Sequence, residues 1–305
     1  QIVNAKPSRI VMHHQFLLFK KITILSIGIV ILWISYPVAE NPFSIAPLAS
    51  LSAQESAGSS DRLAQAQKAT ELGRVAMNSF REGKYEIAFK NCSELCKLEP
   101  NNTSYQMLQG DISFAAGQMD ACVTAYDKLI ELQPSLEPRL WQRGLALYYA
   151  NEFKKGVQQF ETHQLVNTQD VENAVWHLLC AARISNIEDG RSKLIPISED
   201  RRVPMSQIYE MYAGRMTPKQ VLEIANRTSA RVELDGEQHR LQRYYAQLYI
   251  GLYHEMLKNP EASIEAMKKA AKLNPLGKTN FMGQVARVHL QLRQAPKNKP
   301  PSDGS

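Results

Sequence analysis

The stretch that decides the fold is residues 103–136, TSYQMLQGDISFAAGQMDACVTAYDKLIELQPSL. Apolar residues recur at helical spacing as far as Ala116, Gly117 interrupts them, a second helical run starts at Met119, and Pro134 closes it. The same residue types return 34 positions away on both sides. Ala76, Gly110 and Gly144 form one register, Cys92, Tyr126 and Phe160 a second, and Pro100 and Pro134 a third. Such a repeat has a physical reason. Two antiparallel helices cannot bury their apolar faces alone, so a small residue in the first lets the second approach and an aromatic in the second fills the gap. Proline then ends the unit. Gly83 and Gly117 mark the turn inside units one and two, and Ala88 is the small contact expected in a second helix.

These residues resemble the tetratricopeptide-repeat family. The resemblance implies an all-α fold, a right-handed superhelix of antiparallel helical hairpins with a concave groove lined by the first helix of each pair. Three clear repeats are expected at about 69–102, 103–136 and 137–170. A fourth, 171–195, departs from the pattern: residues 171–184 (VENAVWHLLCAARI) suit a first helix, but Leu178 stands where a small residue belongs and Gly190 interrupts its partner. Helices are predicted at 205–213 and at 219–230, the latter with Thr217 as N-cap and Pro218 at its first position. A repeat-like pair follows at 240–275, with Gly251 in register with Pro275, and residues 281–292 are expected as a capping helix. The repeat domain as a whole spans 61–292, and 293–305 is expected to be a disordered tail.

At the amino end, Lys20 and Lys21 precede residues 22–36 (ITILSIGIVILWISY), a run without charge. A positive flank before such a run is the pattern of an export signal, and extended to Ala39 it also reaches the ~18 residues that can span a bilayer. Residues 1–39 are therefore expected to be a signal peptide or an uncleaved membrane anchor, and 40–60, rich in Ser, Ala and Pro, a flexible linker. No cysteine lies near the cleavage region to carry a lipid.

The net charge of +6 carries no nucleic-acid footprint. Lys6, Arg9, Lys20 and Lys21 against Glu40 supply three of these charges, and the remaining basic residues are scattered among acids. Cys92, Cys96, Cys122 and Cys180 form no CxxC pair and are expected as core residues. His254-Glu255 begins an HExxH pattern, but Lys258 stands where the second imidazole belongs. No phosphate loop or nucleophile–base pattern occurs, so no enzyme, cofactor or metal site is expected.

In the repeat register the groove-facing positions select Met77 and Phe80 in unit one, Met107, Asp111 and Phe114 in unit two, and Trp141, Leu145 and Tyr148 in unit three, with Tyr149 beside them. This apolar, aromatic surface suits an amphipathic helix or an apolar peptide segment of a protein partner. It lacks the Lys, Arg and Asn with which relatives clamp acidic tails. The carboxyl-terminal half also resembles a bacterial outer-membrane lipoprotein of this family that acts as an adaptor for peptidoglycan hydrolases and a periplasmic protease. Residues 140–144 and 170–173 are similar to uncharacterised members from bacteria and plastids. The expected function is an exported or membrane-tethered scaffold, in the bacterial periplasm or alternatively a plastid lumen. Two other readings stay open: an enzyme with a site in 189–202, drawing on Asp189, Glu199, Asp200 and Arg201, and a self-associating structural homo-oligomer built on the apolar helix from Tyr244.

Overall fold

A small residue faces a larger one sixteen positions later in four hairpins of the computed structural model, which describes residues 56–227 and 236–294. The pairs are Ala76 with Cys92, Gly110 with Tyr126, Gly144 with Phe160 and Gly251 with Met267. A Cβ at any of the three glycines would come under 3.0 Å from its partner side chain. Where the partner is only a cysteine, alanine fits, and both Ala76 and Cys92 are fully buried. The volumes compensate, as close packing requires.

The first hairpin is α1 (Ser56–Glu82) with α2 (Tyr85–Leu98), the second α3 (Thr103–Ala116) with α4 (Met119–Leu132), and the third α5 (Trp141–Tyr149) with α6 (Phe153–Gln164). A 3₁₀ turn, Pro134–Arg139, joins the second to the third. α1 starts inside the span expected as linker. Asn102 caps α3 by accepting from Ser104 N (3.1 Å) and Tyr105 N (3.2 Å). Each hairpin turns through one left-handed residue: Gly83 (φ 81°), Gly117 (φ 78°) and Asn151 (φ 63°). Lys258 (φ 57°) does so in the last hairpin. Each lies seven positions after the small residue of its unit, so the turn obeys the repeat even where its residue does not.

The fourth unit is α7 (Val171–Ile184) with the short α8 (Ile187–Ser192). α8 ends before the position that would oppose Leu178, and the fully buried leucine fills that space. Gly190 does not interrupt this pair. It continues the series Ala88, Cys122, Gly156 at intervals of 34, and a Cβ there would lie 2.8 Å from that of Ala182. α9 (Met205–Tyr212) and α10 (Pro218–Ala225) follow. Thr217 and Gln220 form a capping box on α10. That helix stops at Ala225 rather than 230, its last turn tightened by Arg227 N donating to the Ile224 carbonyl (3.1 Å).

α11 (Glu237–Met256) and α12 (Pro260–Leu273) make the last hairpin, and α13 (Phe281–Gln294) completes the described chain. α13 does not simply end the stack. It packs on α12 and returns to α3, burying Met282, Val285 and Val288. Among the described residues there is no strand, and no helix is long and apolar enough to cross a membrane. The expected signal or anchor (1–39), most of the linker and the tail from 295 lie outside the described residues.

Candidate functional site

The first helices of units one to three present the face on which a partner was expected, and the chain's own carboxyl-terminal helices lie on it. Phe281 of α13 stacks on Phe114 at 4.1 Å between centroids and meets Trp141 edge-on at 5.4 Å. Arg287 donates to the Ala115 carbonyl and Gln291 Nε2 to the Ala116 carbonyl (3.0 Å), which satisfies carbonyls at the buried carboxyl end of α3. The Arg287 guanidinium also sits 4.2 Å over the ring of Tyr85, whose hydroxyl donates to Lys278 O (3.1 Å). Lys278 Nζ in turn donates to Glu82 O at 3.0 Å.

A largely buried polar centre on Glu255 joins α5, α7, α11 and α13. Tyr148 OH donates to Glu255 Oε2 (2.7 Å) and Arg293 Nε to Oε1 (2.5 Å), with Arg183 3.8 Å away. Burial works against this carboxylate, but His289, Arg293 and these hydrogen bonds hold it below the ordinary range. His289, fully buried between Tyr149 OH (3.2 Å) and Ser263 Oγ (3.3 Å), is pushed by burial down to about 4. Ser263, His289 and Glu255 thus have the residue types of a nucleophile–base–acid set. They do not present one. The serine and histidine are 2% and 0% exposed, and an imidazole that releases its proton near 4 is a weak base at neutral pH.

The expected face residues divide accordingly. Leu145, Tyr148, Tyr149, Phe80 and Phe114 are buried, while Met77, Met107, Asp111 and Trp141 remain half-buried. Asp111 accepts from Tyr126 OH at 2.6 Å, and burial outweighs that bond to raise its carboxyl to about 6. Sequence reasoning met Glu255 only in the incomplete HExxH pattern and did not single out His289, so it missed their meeting, for which no local spacing gives a signal.

The segment 189–202 forms an ionic knot. Arg202 Nη1 binds Glu172 Oε1 (2.7 Å), and Nη2 binds Asp170 Oδ1 (2.7 Å) and Asp200 Oδ2 (2.6 Å). Tyr249 OH donates to the other Glu172 oxygen at 2.7 Å. Burial, opposed by Arg202, raises Glu172 to about 7. Of the residues singled out there, Asp189 pairs with Lys193 (2.8 Å) and Glu199 and Arg201 are exposed, so only Asp200 joins the knot. The arrangement ties an irregular segment to the start of α7. The four cysteines are free, all but Cys96 buried, and the described residues hold no group of three or more His, Cys, Asp or Glu placed to hold a metal.

A family profile for the tetratricopeptide repeat matches residues 103–136, the hairpin α3–α4. The hairpin α3–α4 is a tetratricopeptide repeat. The fold of the chain is the all-α TPR superhelix. Among solved structures, this chain is similar to MamA of Desulfovibrio magneticus RS-1 from residue 41 to its end, at 15% identity over 68% of this chain and 94% of that one, with a TM-score of 0.39. A further MamA crystal structure shows 12% identity over 68% and 93%, with a TM-score of 0.38. Superpositions this loose add no argument about function. The TPR architecture itself supports a scaffold for protein–protein interaction.

Proposed function

We propose that this TPR protein is an exported or membrane-tethered scaffold that recruits a second protein through the inner edge formed by Met77, Met107 and Trp141. The observation that carries this reading is the seat of α13. The face accepts an amphipathic helix through an aromatic anchor, Phe281 between Phe114 and Trp141, and side chains that cap the α3 carbonyls. This is the helix-in-groove mode of recognition, made here within one chain. Leu145, Tyr148 and Tyr149 are buried, and the half-buried Met77 and Met107, together with Trp141 beside its edge-on contact with Phe281, are the apolar surface a partner reaches. Export to the periplasm, or to a plastid lumen, rests on Lys20-Lys21 and the uncharged run after them.

The test places a photo-crosslinking amino acid at Met77, Met107 or Trp141 of the full chain in intact cells, with Glu131, exposed on α4, as the control position. A second polypeptide trapped from the three inner positions and not from Glu131 supports the scaffold. Crosslinks confined to the chain itself overturn it, and crosslinks to another copy favour the self-associating assembly.

A further inference from the structure

α2 carries two cysteines one helical turn apart, Cys92 and Cys96, on the face it turns to α1 and α3. Cys92 is fully buried and Cys96 half-buried, so one sulfur lies inside the repeat and the other at its edge. The thiols are hydrogen-bonded in series. Cys92 Sγ donates to Cys96 Sγ, and Cys96 Sγ donates to the Tyr105 carbonyl at the start of α3 (3.3 Å). The first of these bonds raises the Cys92 thiol and holds the Cys96 thiol below its ordinary value, which makes the outer sulfur the first to ionise. The other two cysteines stand differently: Cys122 donates to the Gly110 carbonyl (3.2 Å), and Cys180 packs against Gly156.

Across one helical turn Cβ atoms are about 5–6 Å apart. A disulfide needs them at about 3.5–4.5 Å, so the pair does not close one while α2 keeps its last turn. An oxidising compartment therefore leaves both thiols available. Two metal–sulfur bonds set in line, each about 2.3 Å as for a zinc thiolate, span about 4.6 Å and fit that separation. Thiolates select soft cations, and Cu(I) is the one that is stable with two ligands. Zinc and iron–sulfur centres take four, and among the described residues no group of three or more His, Cys, Asp or Glu is placed to hold a metal.

We infer that Cys92 and Cys96 form a two-coordinate site for a soft monovalent cation, Cu(I). Binding exchanges the two S–H protons for two Cu–S bonds, with no change of oxidation state. The bound pair carries one net negative charge. Asp111, the acid that acts on Cys92, has a carboxyl already raised to about 6 by burial and offsets that charge by taking up a proton. The full chain in neutral detergent, reduced and kept free of oxygen, is titrated with Cu(I) against the coloured chelator bicinchoninate, and the bound metal is read by X-ray absorption. One Cu(I) per chain with two sulfur neighbours is expected, and zinc should not compete. Loss of an outer-shell partner already costs metal sites about 10–100-fold, so Cys96→Ser, which removes one of two ligands, should weaken binding about a hundredfold or more. Cys180→Ser should leave it unchanged. Bound Cu(I) should also shield Cys96 of the unaltered chain from iodoacetamide, a mapping that holds whether or not the serine variant folds. No binding in competition with the chelator, three or more sulfur neighbours, equal affinity for zinc, unaltered affinity in Cys96→Ser, or alkylation of Cys96 as fast with Cu(I) as without it would overturn the assignment.

Discussion

Gly144 faces the Phe160 ring so closely that a methyl group has no room. Gly144→Ala is expected to lower stability by about 1–3 kcal/mol through overpacking, and adding Phe160→Leu should recover part of the loss in urea denaturation. Lys258 holds a left-handed conformation that the other hairpins give to Gly or Asn. Lys258→Gly should raise stability by about 0.5–1 kcal/mol, the strain relieved being partly offset by glycine's chain entropy. The ionisable groups that burial shifts give opposite pH slopes. His289 lies at about 4, below the ordinary histidine value near 6.5, so its contribution is full above pH ~6.5 and is lost as pH falls toward 4. Glu172 at about 7 and Asp111 at about 6 lie above their ordinary values, so their contribution is present at low pH and is lost as pH rises through 6–7. In denaturation curves from pH 4 to 8, His289→Gln should flatten the acid-side loss and Glu172→Gln the decline toward neutrality, whatever their offsets. If the two slopes stay unchanged, this assignment fails.

At the scale of elements, the hairpins at 103–136 and after Gly251 were legible because their small and large residues repeat at fixed spacing, and steric exclusion works within a hairpin. The left-handed turn at Lys258 was not legible, because lysine carries no local signal for that conformation. Nor was the knot that fastens 198–204 to α7, since Asp170, Glu172 and Asp200 meet at Arg202 from two separate segments. Removing the guanidinium leaves three carboxylates together. Arg202→Met is therefore expected to cost about 3–5 kcal/mol near pH 8, where Glu172 is ionised in the intact knot, and less near pH 5, where Glu172, raised to about 7, already holds its proton. A loss independent of pH would show that shape rather than charge holds the segment.

At the scale of the molecule, α13 links the first hairpins to the last. A TPR array in which each unit touches only its neighbours unfolds by fraying, whereas contacts from Lys278 and Arg287 to α1–α3 couple distant units. The intact chain should unfold in one transition. Phe281→Ala, which removes the half-buried ring stacked on Phe114, should cost about 1.5–3 kcal/mol and broaden or split that transition, read by circular dichroism and by dye binding to the bared inner face. A sharp single transition in the variant would mean that the repeats are coupled without α13.

Composition, spacing and the volume of paired residues by themselves determined that the chain forms helical hairpins, where they turn and which stripe each buries. These are local rules, obeyed within about forty residues by backbone geometry and close packing. Only the tertiary structure decided what lies on the inner face. An apolar stripe specifies that a surface leaves water, because burial is non-directional, and does not specify which surface covers it. Phe114, Tyr148 and Tyr149 meet Phe281, Glu255 and His289 across more than a hundred residues of chain, and that choice was settled by shape and hydrogen bonding in three dimensions.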